Sequence, residues 1–232
     1  MSNKSLTLFL CLFVMNLLMT SGCEYQAGIG LASFTTASNR ANAGVSVGYV
    51  QDLTYEKHAD YRWYAMIATY QRERKAAEHL LGHGVQVYLP MRKDGTSFIP
   101  NTLFIYTDLQ TAESFVRYSK QSCRHLDYLH FMYDKTIVNE KGKNPPIIVP
   151  NSQMDNFIRL LSVGDDGTEL LSKDNVRFRP GEEVIVTGGE FKGITGRIAR
   201  VKGSTRVVVT LEGVCYAAAA YIAKRYLQPV NK

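Results

Sequence analysis

Five histidines (His58, His79, His83, His125, His130) and four cysteines (Cys11, Cys23, Cys123, Cys215) are the side chains best suited to covalent or metal chemistry. None sits in the pattern that such chemistry requires. A zinc site needs ligand pairs at close spacing. Cys123 and His125 lie near each other, but no second pair follows and no C-x-x-C occurs. There is no G-x-S-x-G elbow, no phosphate-cradling P-loop and no recognisable pair of acidic residues. The expectation is a protein that is not an enzyme, needs no metal or cofactor, and acts by binding.

The charges say what it could bind. Residues 176–232 carry ten Lys or Arg against four Glu, which equals the net charge of the whole 232-residue chain, +6. A compact basic segment favours an anionic partner such as RNA, and a soluble basic surface explains the same charge equally well. A second cationic group, Arg72, Arg74 and Lys75, opens a predicted helix. Like charges on a helix face usually serve solvation.

These groups must be positioned by regular elements. Arg62 to Tyr70 reads as a strand, Gln71 to Gly82 as a helix, and Val85 to Leu89 and Leu103 to Tyr106 as strands. Asp108 is placed to cap a helix bearing Ala112, Phe115 and Val116. Leu126 to Tyr133 and Ile147 to Val149 read as strands. Asn151 or Ser152 is expected to cap a helix with Met154, Phe157, Ile158 and Leu161 on one face. This order predicts an α+β sandwich, helices against a mostly antiparallel sheet, over residues 60–162. Residues 163–175 are polar enough to be a linker, and 176–232 form a second domain.

Residues 1–59 fit neither domain. Leu6 to Met19 is almost wholly apolar behind Lys4, and Gly22-Cys23 is similar to an imperfect lipoprotein cleavage site, with Cys23 as the lipidation position. Residues 26–50 are rich in Gly, Ala, Ser, Thr and Asn without periodicity and are expected to be disordered or weakly ordered. Taken alone, this leader implies an exported, membrane-anchored lipoprotein.

The run from Gly181 to Val209 contradicts that. Val184 and Val186 alternate, as do Val207, Val209 and Leu211, around a glycine-dense loop. Gly181-Glu182-Glu183-Val184-Ile185-Val186-Thr187-Gly188-Gly189-Glu190-Phe191-Lys192-Gly193-Ile194-Thr195-Gly196 resembles the KOW motif of small SH3-like barrels. An α+β domain opening on Trp63-Tyr64, followed by one KOW domain, resembles the NusG family of transcription elongation factors over about residues 60–232. Trp63-Tyr64-Ala65, Gly142 to Pro146, Gln153 to Arg159 and the tail Ala219 to Ile222 are closest to the specialised NusG paralogues of Bacteroides, the UpxY-type antiterminators.

The resemblance implies a cytoplasmic monomer that rides RNA polymerase and promotes readthrough of a capsular or surface polysaccharide operon. Residues 1 to about 50 would then lie outside the functional protein. It implies contact with the clamp helices of the largest polymerase subunit through Trp63, Tyr64, Phe98, Ile99, Pro100 and Phe104. A common family version of the central segment is Phe-Pro-Gly-Tyr. Here Ile99, Asn101 and Thr102 replace its first, third and fourth residues, with Phe98 able to supply apolar area. The same Phe98 and Ile99 equally suit closing the domain core. The resemblance places Arg72, Arg74 and Lys75 near non-template DNA, with leader RNA as another partner. It gives Phe191, Lys192 and Gly193 a loop contact to a ribosomal protein or the Rho termination factor. Ala217 to Ala220 has high helix propensity in what the family makes a strand, and some paralogues refold this domain into helices.

Overall fold

The structure, a computed structural model, describes residues 55, 57–92, 94–116, 124–163, 167–171, 177–201, 204–218 and 222–230. These belong to one compact unit, Val45–Lys232. The apolar leader, Cys23 and Cys123 lie outside the described residues.

The architecture is α+β, and every strand pairing is antiparallel. The first sheet comprises β1 (Arg62–Ala68), β2 (Gln86–Tyr88), β3 (Thr102–Thr107), β4 (Leu129–Phe131) and β5 (Ile148–Val149). Its order is β2-β3-β1-β4, with β5 beside β4 on the same edge of β1. Three α-helices occur among the described residues: α1 (Glu73–Gly82), α2 (Leu109–Val116) and α3 (Asn151–Val163).

Strand β3 is buried at all six positions, because both faces of the sheet are covered. Tyr64, Met66 and Ala68 of β1 turn to one face, where Ala76, Ala77 and Leu80 of α1 and Phe115 of α2 pack. Trp63 and Ala65 turn to the other, against Met154, Phe157 and Ile158 of α3. Asp108 caps α2 as expected, its Oδ1 accepting from Thr111 N–H at 2.9 Å. The cap of α3 differs from expectation. Pro150 carbonyl takes the first helical bond, from Met154 N–H at 3.0 Å, so Asn151 and Ser152 are already helical. Leu160 rather than Leu161 completes the buried stripe.

The second sheet comprises β6 (Glu169–Leu171), β7 (Arg177–Val186), β8 (Thr195–Val201), β9 (Ser204–Leu211), β10 (Cys215–Ala218) and β11 (Leu227–Pro229). Its order is β11-β7-β8-β9-β10-β6. Among the described residues β11 and β6 stand at opposite ends and do not pair, so the hydrogen-bonded sheet is open rather than a closed barrel. The register between β7 and β8 shifts between Phe178 and Glu183. The valine alternation appears as read: Val184, Val186, Val207, Val209 and Leu211 share one buried face, while Ala199, Val201 and Val208 cluster separately.

Two boundaries shift. The stretch expected as linker contains β6, which pairs with Tyr216–Ala218. Tyr55, expected in the leader segment, is a core residue whose ring packs edge-on against Trp63. Its hydroxyl donates to Asp155 at 2.7 Å. Ala217 and Ala218, the first half of the helix-prone run, are strand within β10; Ala219 and Ala220 lie outside the described residues. Burial in β10 pushes the Cys215 thiol up to about 12, away from the thiolate form.

Candidate nucleic-acid interface and the covered apolar face

Strand β1 ends in a tight turn, Thr69–Gln71, before α1. Tyr70 and Gln71 both adopt left-handed backbone, with φ of 62° and 55°. Neither is glycine, so the shape costs about 1–3 kcal/mol per residue. What holds it comes from elsewhere in the chain. Asn101, itself left-handed with φ of 58°, accepts Gln71 N–H on its Oδ1 at 2.8 Å and Ala68 N–H on its carbonyl at 2.8 Å. Tyr128 carbonyl accepts Thr69 N–H at 2.9 Å.

The product of this strain is a presented aromatic. The Tyr70 side chain is 82% exposed. The Arg72 guanidinium carbon sits 5.6 Å from the Tyr70 ring centre and 5.1 Å from that of Tyr128. Partial burial raises the Tyr128 phenol, against the opposing pull of Arg72, so it stays neutral at physiological pH. An exposed ring beside a guanidinium has the chemistry to stack on an unpaired base and to hydrogen-bond phosphate.

The three cations expected at this helix start separate by role. Arg72 belongs to the tyrosine pair. Arg74 donates to Gly95 carbonyl at 2.6 Å and braces the Asp94–Ser97 turn. Lys75 is exposed on α1. From the sequence Tyr70 reads only as a strand end, Tyr128 only as a strand residue, and Asn101 only as a replacement in the family segment, none of them with a binding role. A tyrosine where the turn asks for glycine was the available signal.

The expected polymerase-contact residues do not form one surface. Trp63, Phe98, Ile99 and Phe104 share a buried cluster, whereas Tyr64 faces the opposite side of the sheet. Burial raises the Tyr64 phenol. Pro100 is exposed. The second sheet lies over this cluster. Phe98 and Ile99 are packed in it with Val184, Phe191, Ile194 and Leu211, leaving Ile99 8% exposed. A cavity of about 520 Å³ runs from Ile99 to Leu170, Leu211 and Tyr216.

Helix α3 fastens that cover with polar bonds to backbone groups of the second sheet and its loops. Asn156 Oδ1 accepts Thr195 N–H at 3.0 Å, Gln153 Oε1 accepts Glu212 N–H at 2.9 Å, and Arg159 donates to Lys192 carbonyl at 3.4 Å. Phe191, expected at a loop tip, instead points into the same interior with 7% exposure. Lys192 beside it is exposed. Gly193 has φ of +89°, and a Cβ there would collide with the Arg159 guanidinium.

Among the described residues no group of three His, Cys, Asp or Glu is placed to hold a metal, and no helix is long and apolar enough to cross a membrane. No protein-family model and no curated protein matches this chain.

Proposed function

We propose that this protein is a transcription elongation and antitermination factor. It binds RNA polymerase, touches single-stranded nucleic acid exposed at the enzyme, and promotes readthrough of a capsular or surface polysaccharide operon. The operon class comes from the sequence resemblance alone. The observation that carries the reading is the strained turn presenting Tyr70 beside Arg72 and Tyr128. Backbone strain at an exposed aromatic is held in place only by over-determining contacts, and such sites cluster where function needs them. The antiparallel second sheet, with glycine-dense loop and alternating valines, supports the SH3-like KOW reading in an open form.

In this reading polymerase meets the Phe98–Ile99 segment after the second sheet has moved off it. A buried apolar segment at the junction of two sheets supports this, since uncovering it creates an apolar patch that a partner must then cover. The test is binding of the full chain to purified bacterial RNA polymerase, and to a single-stranded oligonucleotide, with wild type and Tyr70→Ala. The reading requires wild type to bind both, and Tyr70→Ala to lose oligonucleotide affinity while keeping polymerase. Wild type that binds neither refutes it. An exported binding module remains the second reading. It rests on residues 1–25 alone, and a lipid found on Cys23 by mass spectrometry would establish it.

A further inference from the structure

Between β4 and β5 the chain leaves the sheet edge and returns to it. Met132 N–H donates to Ala65 carbonyl at 2.9 Å, and Ile147 N–H donates to Met132 carbonyl at 2.8 Å. Tyr133 and Pro146 close the neck with a β-bridge. Everything between is a loop with short ends and internal wiring, the form of an Ω-loop.

That wiring is dense for an exposed segment. Asp134 Oδ1 accepts from Thr136 N–H at 2.8 Å and from its hydroxyl at 2.6 Å. These bonds hold the Asp134 carboxyl below its ordinary value. Asn139 Oδ1 accepts from Lys141 N–H at 3.0 Å and Lys143 N–H at 2.9 Å. Asn144 Nδ2 donates across the loop to Ile137 carbonyl at 2.7 Å. Gly142 supplies the left-handed turn, with φ of +71°. A loop fixed this way has already lost the freedom that binding would otherwise remove.

What it presents is unusual for a solvated loop. Ile137 is 54% and Val138 63% exposed, adjacent on the outgoing limb just before the Asn139–Gly142 turn at the tip, and Tyr133 is exposed at the neck. Lys135, Lys141 and Lys143 are exposed around them, with Glu140 the one exposed acid of the loop. The neck is continuous with the covered face, because Met132 and Ile147 belong to the cluster under the second sheet. A methyl group added to Gly213 of that sheet would meet Ile147 Cδ1 at 3.0 Å. A partner seated on the uncovered Ile99 face therefore borders the loop, while the loop tip is available before any uncovering.

We propose that the Tyr133–Pro146 loop is a docking arm for a protein surface: an apolar depression rimmed by carboxylates, on the polymerase itself. This rests on the polymerase-binding reading above. Ile137 and Val138 fill the depression, and the three lysines steer the encounter. The loop makes first contact while the Ile99 face is still closed. Two adjacent aliphatic side chains fit an apolar protein pocket better than nucleic acid, whose bases are gripped by stacking rings and hydrogen-bonding edges.

The experiment measures association and dissociation of the full chain on immobilised bacterial RNA polymerase at low and high salt. It compares wild type with Ile137→Asp/Val138→Asp and with Lys135→Glu/Lys141→Glu/Lys143→Glu. All substituted side chains are exposed, and thermal unfolding verifies that both variants fold. The aspartate pair is expected to weaken binding about 30-fold, mostly through faster dissociation. The lysine reversal is expected to slow association about tenfold at low salt, the difference closing at high salt. Variants that bind like wild type overturn the docking arm and leave polymerase binding intact. Wild type that does not bind overturns both. If the lysine reversal instead weakens binding to mixed-sequence duplex DNA and leaves polymerase rates unchanged, the loop is a phosphate contact and the proposal falls.

Discussion

The bonds from α3 to the second sheet give a prediction whose size follows from the structure. Asn156→Ala leaves the part-buried Thr195 N–H without its acceptor, at a cost of about 1–3 kcal/mol to the closed arrangement. Gln153→Ala does the same at the exposed Glu212 N–H, for about 0.5 kcal/mol. Once the sheets part, water satisfies both groups, so the open arrangement is untouched. Alanine also suits a helix better than asparagine, so α3 itself does not weaken. The double variant should therefore favour opening by about 2 kcal/mol, or roughly 30-fold. If polymerase binds only the open form, apparent affinity is reduced by the open fraction, and the same factor returns as tighter binding. The assay is the dissociation constant for polymerase, measured beside amide hydrogen exchange of β9 and the Phe98–Asn101 segment. Faster exchange with a 10- to 30-fold lower dissociation constant is the expected pair, on the order set by the open fraction. Faster exchange with unchanged or weaker binding would refute the idea that the second sheet competes with polymerase. Unchanged exchange would refute the fastening role of the two side chains.

Three further outcomes are expected. Tyr70→Gly relieves a left-handed tyrosine, so the denaturant midpoint should hold or rise, by up to ~1 kcal/mol, while oligonucleotide affinity drops about 5- to 100-fold through the lost stacking. Gly193→Ala should destabilise by about 1–2 kcal/mol, because alanine is strained at a φ of +89° while the flexible Arg159 guanidinium can swing aside, and urea unfolding measures it. Asp108 has its carboxyl lowered by the Thr111 hydroxyl first and the Thr111 amide second. A depressed acid stabilises the fold above its unfolded value near 3.8 and loses that contribution as pH falls through the lower folded value. Asp108→Asn keeps a capping oxygen, so its stability should change less than wild type between pH 5 and acid extremes, followed by thermal unfolding at each pH.

The features legible in the sequence are those set by neighbours along the chain. The buried stripe of α3, the Asp108 cap and the valine alternation of the second sheet each follow from spacing within about two turns or one strand. The face to which each residue turns was less accessible. Trp63 and Tyr64 are adjacent, and strand geometry alone sends them to opposite sides, so a motif that names both cannot describe one surface. What covers Phe98 and Ile99 depends on chain more than eighty residues later, which no local pattern encodes. Asn101 shows the same limit at a single residue. In the sequence it stands only as the residue that replaces the third position of the family segment. In the structure it holds the Tyr70 turn by two hydrogen bonds to residues some thirty positions earlier. The covered segment and the presented aromatic are thus joined through Phe98–Asn101: Ile99 lies under the second sheet, and two residues on, Asn101 sets the backbone from which Tyr70 projects. Asn101→Gly, which keeps the left-handed backbone and deletes Oδ1, separates the two sites: oligonucleotide binding should weaken while polymerase binding and the packing of Ile99 persist.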